Sequence, residues 1–410
     1  MRTFRRVAVT GIGMISSLGI NKTENWQGLT AGRSGIGPIT RFDASQAPTR
    51  IGGQLPDAYY ELERKHFSKR LEKQTLPTTR LGYILADEAL ADSGINLDQV
   101  DRWRCAVITG SGQSDFQEGE DIKTRTEGQF VIIRQMANAI AAWISIKHHF
   151  RGPTYNLATA CASGAFAVAA ARDYIATGRG DVALAVGVDM MLSPESIFGF
   201  SLLQALSTRN DAPSQASRPF DKGRDGFVLA NGGGALLLED EASARKRGAR
   251  IYAWADGAGI CSEAYNIVAP DPTGVGMAKC MELACADAEC PLTDIGYISA
   301  HGTSTHHNDA AETGAINLLF GDHACKLAVS SQKSMTGHTI GGAGAIEAAA
   351  TVLSLFHGVL TPTINQETAD PECNLDYVPN VAREAPALRA ALSNSFGFGG
   401  HNCSLLFRKA

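Results

Sequence analysis

The sequence predicts an α/β protein made of two similar halves, and three observations carry that expectation. Short apolar runs rich in Val, Ile and Leu alternate with helical patterns along the 410 residues. Forty-three glycines close many of those runs, as tight turns and close backbone contacts require. The third observation is an internal echo. NLATACASGAFAVAAARDYIATG in the first half and SSQKSMTGHTIGGAGAIEAAATVLSLFHG in the second both pass from polar residues into a helix of small residues. A helix that is apolar all round is a buried one, so each half is expected to carry a buried central helix. The seam falls near residues 245–255, which gives halves of 1–250 and 251–410.

Taken in order, VAVTGIG is a short buried strand, Arg6 to Thr10, entering a glycine loop. The arginines before it imitate the start of a signal peptide, but Gly11, Gly13 and Gly19 interrupt the apolar run. Leu81 to Ser93 is a helix with Leu85, Ala89 and Leu90 on one face. CAVITGSG is a second strand and glycine loop, DVALAVGVD a third buried strand and GGGALLLED a fourth. GYISAHGTST and LAVSSQKS supply further strand ends in the second half. Within 113–145, SDFQEGEDIKTRTEGQ is polar and loop-like. FVIIRQMANAIAAWISI has helical spacing, with Ile133, Met136, Ala137, Ile140 and Ile144 on one side.

Composition excludes several classes. With 44% apolar and 19% charged residues the chain can bury a large core, and disorder is not expected. A net charge of −5 argues against a general nucleic-acid binder. No run of eighteen apolar residues offers a membrane span. The nine cysteines are scattered without a CxxC pair, and Cys280, Cys285 and Cys290 are five apart, which is not zinc spacing; a reducing, cytoplasmic setting is expected.

Four places carry groups with chemistry. Cys161 precedes the small-residue helix Ala162 to Ala176, where unpaired N–H groups and the helix dipole are expected to lower its pKa; the alternative is an inert buried thiol. His301 follows the strand GYIS, at the kind of strand end where reacting groups gather in α/β folds. His306, His307 and Asp309 come next, in a spacing that matches no metal signature. His338 closes SSQKSMTGH, flanked by Lys333 and Glu347, which are expected to pair because a buried lysine is costly alone. Ser330 and Lys333 also form the SxxK of penicillin-recognising serine enzymes, without its KTG partner. The tail SNSFGFGGHN lets backbone approach a ligand beside two aromatics, Phe396 and Phe398. Thr10–Gly13 and Gly110–Gly112 begin a nucleotide loop but neither completes GxGxxG.

Together, VAVTGIGMISSLG, RGPTYNLATACASGA, ALSTRNDAPSQASRPFDKGRDGFV, AHGTST, SSQKSMTGH and SNSFGFGGHN resemble the β-ketoacyl-acyl-carrier-protein synthases of the elongating Cys-His-His class. The resemblance implies a thiolase-like fold with layered α-β-α-β-α architecture. It implies an acyltransferase that condenses malonyl-acyl-carrier protein with an acyl chain held on Cys161. His301 and His338 would stabilise the enolate, with Lys333 and Glu347 orienting them. The N–H groups of Cys161 and Phe398 would form an oxyanion hole, and Phe398 and Phe396 would gate the acyl pocket. Thr303 and Thr305 would line the phosphopantetheine channel. No cofactor is implied on the enzyme itself, since substrates ride on the carrier's phosphopantetheine. The implied partners are acyl-carrier protein and a second subunit, either a copy of this chain or a homologous ketosynthase-like one; no nucleic acid or membrane span is implied.

Residues 61–80 carry six Lys/Arg against three Glu, and Lys69, Arg70 and Lys73, with Arg209, are the expected docking patch for an acidic carrier. Two segments depart from the family pattern. The stretch from Gly112 to Arg151 lacks the usual Pro-Phe segment, and His306 stands where proline usually follows HGTST. Fatty acid, polyketide and polyene pathways stay open, as do a heterodimer with a Cys-less chain-length-factor partner and a thiolase that would use a second cysteine such as Cys403.

Overall fold

The computed structural model describes residues 4–112 and 130–410. The polar segment SDFQEGEDIKTRTEGQ, expected as a loop, lies wholly outside them.

Among the described residues, ten strands form one continuous sheet. In the first half they are β1 (Val7–Ile15), β2 (Cys105–Gly110), β3 (Thr154–Leu157), β4 (Val182–Met190) and β5 (Asn231–Asp240). The second half adds β6 (Ala253–Ser262), β7 (Ile295–Ser299), β8 (Ala328–Ser330), β9 (Ala390–Gly397) and β10 (His401–Lys409). The first half is ordered β3-β2-β4-β5-β1 and the second β8-β7-β9-β10-β6, the same arrangement twice. In both, the three strands at the outer end run parallel and the last two pairings are antiparallel. The half-sheets meet where β1 pairs β6 through Ala8 with Trp254 and Val9 with Ala253.

Helices α1 (Pro77–Ser93), α2 (Ser163–Ala176), α3 (Val275–Asp287), α4 (His306–Phe320) and α5 (Ala343–His357) build the layers. Helix α1 covers the outer face of the first half-sheet; α3 packs on the outer face of the second, with α4 against it. Between the half-sheets lie α2 and α5, packed on each other and each touching strands of both halves. The five layers α-β-α-β-α follow. The echo read in the sequence is these two central helices, and it extends to their entrances. Each is fed by a 3₁₀ turn whose first residue is not glycine yet has positive φ, Ala160 at 48° and Ile340 at 50°. That backbone is strained for an L side chain, and it recurs where strain is tolerated for function.

The small residues have a packing reason. A Cβ on Gly164 of α2 would lie 2.7 Å from the Gly341 carbonyl and 2.8 Å from the Ala345 amide of α5, so the helices cross backbone to backbone there. That crossing brings the beginnings of both helices, one from each half, to a common point.

Some boundaries differ from expectation. β1 runs on to Ile15, since its glycines are accommodated under α1. α1 begins four residues early because Pro77 sits in the first turn, where a missing N–H costs nothing. The helix expected over 130–146 is broken into Val131–Gln135 and Ala139–His148, and its face is split: Ile140 and Ile144 are buried while Ile133 and Met136 are exposed. Among the described residues one helical stretch, Ile340–His357, is long and apolar enough to cross a membrane by length and composition, although Glu347 interrupts it; 89% of it is buried, so its apolarity is that of a core helix.

Candidate active site

Cys161 lies in the turn entering α2, 4% exposed. Gly397, the last residue of β9, has no Cβ to strike the Thr159 carbonyl 2.7 Å away, so the strand end comes up against this turn. The N–H groups of Phe398 and of Cys161 itself are thereby directed at Sγ. They and the Lys333 charge favour the thiolate, but burial outweighs them and pushes the thiol up to about 11. The expected depressed thiol is therefore not found: desolvation by burial dominates.

His301 follows β7 and His338 follows the short helix Lys333–Thr336; both are 2% exposed. A ring nitrogen of each lies with Cys161 Sγ in a cluster whose atoms are all within 4.8 Å of one another. The rings stand edge to face, centroids 5.6 Å apart. Phe227 packs on His338 and Phe396 on His301, at 5.3 and 6.0 Å. Burial, then the Lys333 charge, holds both imidazoles well below their ordinary pKa, so both are neutral.

Their tautomers follow from their neighbours. The Ile340 N–H donates to His338 Nδ1 at 3.3 Å, which leaves the proton on Nε2, and that buried Nε2 has no hydrogen-bond partner among the described residues. The Lys333 ammonium donates to the His301 carbonyl at 2.6 Å and faces His301 Nδ1 at 3.3 Å. A cation there requires a lone pair on Nδ1 and the proton on Nε2. The two histidines are thus neutral N–H donors beside a thiol. The same ammonium opposes a metal dication in the cluster.

Lys333 also forms the expected ion pair with Glu347 of α5, both 1% exposed, and burial raises Glu347 to about 7. Two further carboxylates hold the site, and the sequence reading missed both. Glu312 of α4 accepts the His301 and Gly302 N–H groups at 2.9 and 2.8 Å. Asp189, at the end of β4, accepts the Gly112 and Gly341 N–H groups at 2.9 and 2.6 Å and ties the two halves together at the site. The available signal for Glu312 was a pair of acidic residues, Asp309 and Glu312, three apart on the apolar helix after HGTST.

Cys161, His301 and His338 line a cavity with about 260 Å³ of water-accessible space. Thr303, Thr305, Phe396 and Phe398 line it too, and the two threonine hydroxyls hydrogen-bond each other at 2.8 Å. Phe396 is fixed, buried in β9, whereas Phe398 is partly exposed in the turn that follows. Met136 and Ile140 line a separate small cavity of about 80 Å³ with Thr78, Thr79 and Arg134. Lys69, Arg70 and Lys73 are exposed on the helix Lys69–Gln74 and Arg209 is half-buried, bonded to the Gly223 carbonyl; none of the four lines the cavity of Cys161.

Against this geometry, a family model described as "Beta-ketoacyl synthase, N-terminal domain" matches residues 4–244, and "Beta-ketoacyl synthase, C-terminal domain" matches 252–367. The chain belongs to the β-ketoacyl synthase family. It is 42% identical to the 3-oxoacyl-[acyl-carrier-protein] synthase 2 of Synechocystis, over 99% of this chain and 98% of that protein. Identity to the synthase of the same name from Coxiella burnetii is 41%, over 99% of each. Among solved structures it is similar to a β-ketoacyl synthase from Burkholderia phymatum, with 32% identity, TM-score 0.90, and 99% and 100% of the two chains covered. Another is the ishigamide ketosynthase/chain length factor, at 33% identity, TM-score 0.88 and the same coverage. A third is a type II PKS ketosynthase complexed with its acyl-carrier protein, at 31% identity, TM-score 0.87 and the same coverage.

Membership of the β-ketoacyl synthases disposes of the serine-enzyme and thiolase readings, and local geometry says why. Ser330 of the SxxK pair bonds Tyr297 Oη at 2.7 Å, while Lys333 is spent on His301 and Glu347. Cys403 is buried within β10 and does not line the cavity, so it cannot act as a thiolase's second thiol. Asp309 accepts the Phe220 N–H at 2.8 Å and faces Arg224, while His306 and His307 are exposed, so these three form no metal site.

Proposed function

We propose that this β-ketoacyl synthase carries out decarboxylative Claisen condensation of malonyl-acyl-carrier protein with an acyl chain held on Cys161. The Cys161 sulfur attacks the carrier's acyl thioester and the carrier thiol departs with the proton. The malonyl thioester then enters, its carbonyl oxygen accepting from Nε2–H of His301 and His338. Carbon dioxide leaves, and its bonding electrons form an enolate held by those two donors. The enolate carbon attacks the Cys161 thioester, and the N–H groups of Cys161 and Phe398 stabilise the oxyanion. Collapse expels the Cys161 thiolate and gives β-ketoacyl-acyl-carrier protein. A thiol is both nucleophile and leaving group, and neutral N–H donors suit a developing negative charge.

The observation that carries this reading is the clustering of Cys161 with two neutral imidazoles whose Nδ1 atoms are both engaged. Thr303 and Thr305 then line the pantetheine channel, Phe398 gates the acyl pocket, and the carrier docks by charge on Lys69, Arg70, Lys73 and Arg209. The enzyme itself needs no cofactor, and nine free cysteines suit the reducing cytoplasm. The test is intact-mass analysis after mixing with acyl-carrier-protein thioesters. Native protein gains one acyl group, Cys161→Ala gains none, and His301→Ala and His338→Ala are acylated without releasing carbon dioxide from the malonyl thioester. Condensation by Cys161→Ala at a native rate would reject the assignment.

We also propose that the enzyme works as a dimer. Among the described residues no strand pairs with the outer edge of β3, and Tyr155, Ile132, Ile133, Met136 and Ile146 are exposed in and around it. A dimer with a Cys-less homologous subunit is the second reading, favoured by the likeness to a ketosynthase/chain length factor. Activity of the chain purified alone distinguishes the two.

A further inference from the structure

The cavity lined by Cys161 also reaches His306 and His307, the first two residues of the fifteen-residue helix α4. Both imidazoles are exposed and both line the cavity. Thr305 stands at the N-cap of α4 yet makes no cap, because its hydroxyl is paired with Thr303. The first N–H groups of the helix are therefore left without the side-chain acceptor that a threonine there ordinarily supplies.

The backbone presenting these imidazoles is rigid. Arg224, 1% exposed, donates to the carbonyls of Thr305 and His306 at 3.2 and 3.3 Å, and pairs with Asp370 and Asp309. Two carboxylates share the cavity wall. Glu263 accepts the Asp271 N–H at 2.9 Å and the Asn402 amide at 3.2 Å, so both of its oxygens are engaged. Asp225 accepts the Thr208 N–H at 3.3 Å. Beside Cys161, the Nε2 of His338, which has no hydrogen-bond partner among the described residues, marks the same cavity as one built to receive a polar ligand.

We infer that His306 and His307 recognise the phosphate of the 4′-phosphopantetheine arm, making them specificity-determining residues for substrates that carry it. The inference rests on the functional reading above, which threads a pantetheine thioester from the mouth to Cys161. An arm with its thioester at Cys161 and its amides beside Thr303 and Thr305 brings its anionic end out at the start of α4. Anions are favoured there by the helix dipole, and an imidazole adds a directed donor.

The experiment compares three acyl thioesters: the 4′-phosphopantetheine form, the pantetheine form without phosphate, and an N-acetylcysteamine form lacking both. Native enzyme is expected to prefer the phosphorylated form over pantetheine about tenfold in kcat/KM, a preference that shrinks with added salt. In the double variant His306→Gln, His307→Gln that ratio falls to near one, and His306→Arg in the His307→Gln background restores it. The ratio is the readout because a general weakening of the site lowers all three substrates together. A native ratio near one, or a ratio unchanged in the double variant, overturns the inference while the functional reading stands. Failure of native enzyme to acylate Cys161 from any of the three overturns the functional reading and this one with it.

Discussion

Lys333 is the group on which most of the site depends, and Lys333→Met tests how. The change keeps the length of the side chain and removes the ammonium that holds the His301 carbonyl, faces His301 Nδ1 and pairs with Glu347. Stranding one member of a buried ion pair ordinarily costs about 3–5 kcal/mol. Here the cost is expected to be nearer 2 kcal/mol at pH 7, mostly the unsatisfied His301 carbonyl. The reason is that Glu347, already raised to about 7 beside Lys333, takes up a proton once the cation is gone. The sign of the pH dependence follows. The folded variant keeps a proton on Glu347 that native protein gives up above about pH 7, and both unfolded chains give it up near 4.5. The variant therefore loses about 1.4 kcal/mol further, relative to native, for each pH unit above 7. Catalysis suffers separately, because His301 Nδ1 no longer faces a cation and Nε2–H is no longer enforced. Losing one such donor to a developing oxyanion costs about a hundredfold or more. Urea denaturation from pH 6 to 9 reads the first effect, and carbon dioxide release from a malonyl thioester reads the second. Lys333→Met with Glu347→Leu should recover stability and flatten its pH dependence without recovering decarboxylation. Decarboxylation by Lys333→Met within about threefold of native would refute the tautomer argument. A stability deficit that does not grow above pH 7 would refute the proton uptake.

Three other outcomes are expected. Alkylation of Cys161 by a small haloacetamide should accelerate about tenfold per pH unit from 7 to 9, because burial holds the thiol near 11; a rate already flat at pH 7 would show that the helix-start N–H groups win over desolvation. Gly164→Ala drives a methyl into the α5 backbone, so equilibrium denaturation should show a loss of about 1–3 kcal/mol or more, with acylation slowed as the Cys161 turn shifts; native-like values for both would mean that the crossing yields easily. Charge reversal at Lys69 and Arg70 should raise KM for carrier-bound substrate, in a salt-dependent way, and leave a small thioester mimic little changed; equal effects on both would remove the docking role.

The sequence alone determined the class of fold, its two-part repetition and the three groups that meet in the cavity. Those features are local or additive: strand periodicity, small-residue helices and short motifs such as ACASG, HGTST and KSMTGH keep their meaning wherever the chain puts them. The Lys333–Glu347 pair was also legible, because a lysine in an apolar context needs a counter-ion. Other features were not legible, because they depend on what distant segments do to one another. Asp189 looks like an ordinary acidic residue until β4 aims it at the Gly341 N–H of the other half, and Glu312 does until α4 folds back on the His301–Gly302 turn before it. The positive φ of the two turns falls on Ala160 and Ile340 rather than on a glycine, so the residue types do not announce it. The thiol of Cys161 was expected to be depressed by its helix, and instead it is raised, because burial between the two half-sheets desolvates the thiolate more than the helix start and Lys333 favour it. The apolar pattern over 133–144 was read as one face, yet the chain breaks after Gln135 and divides it between core and surface. Motif and period tell which residues carry chemistry; burial and the neighbours brought in by the fold set the charge, the tautomer and the direction in which each one points.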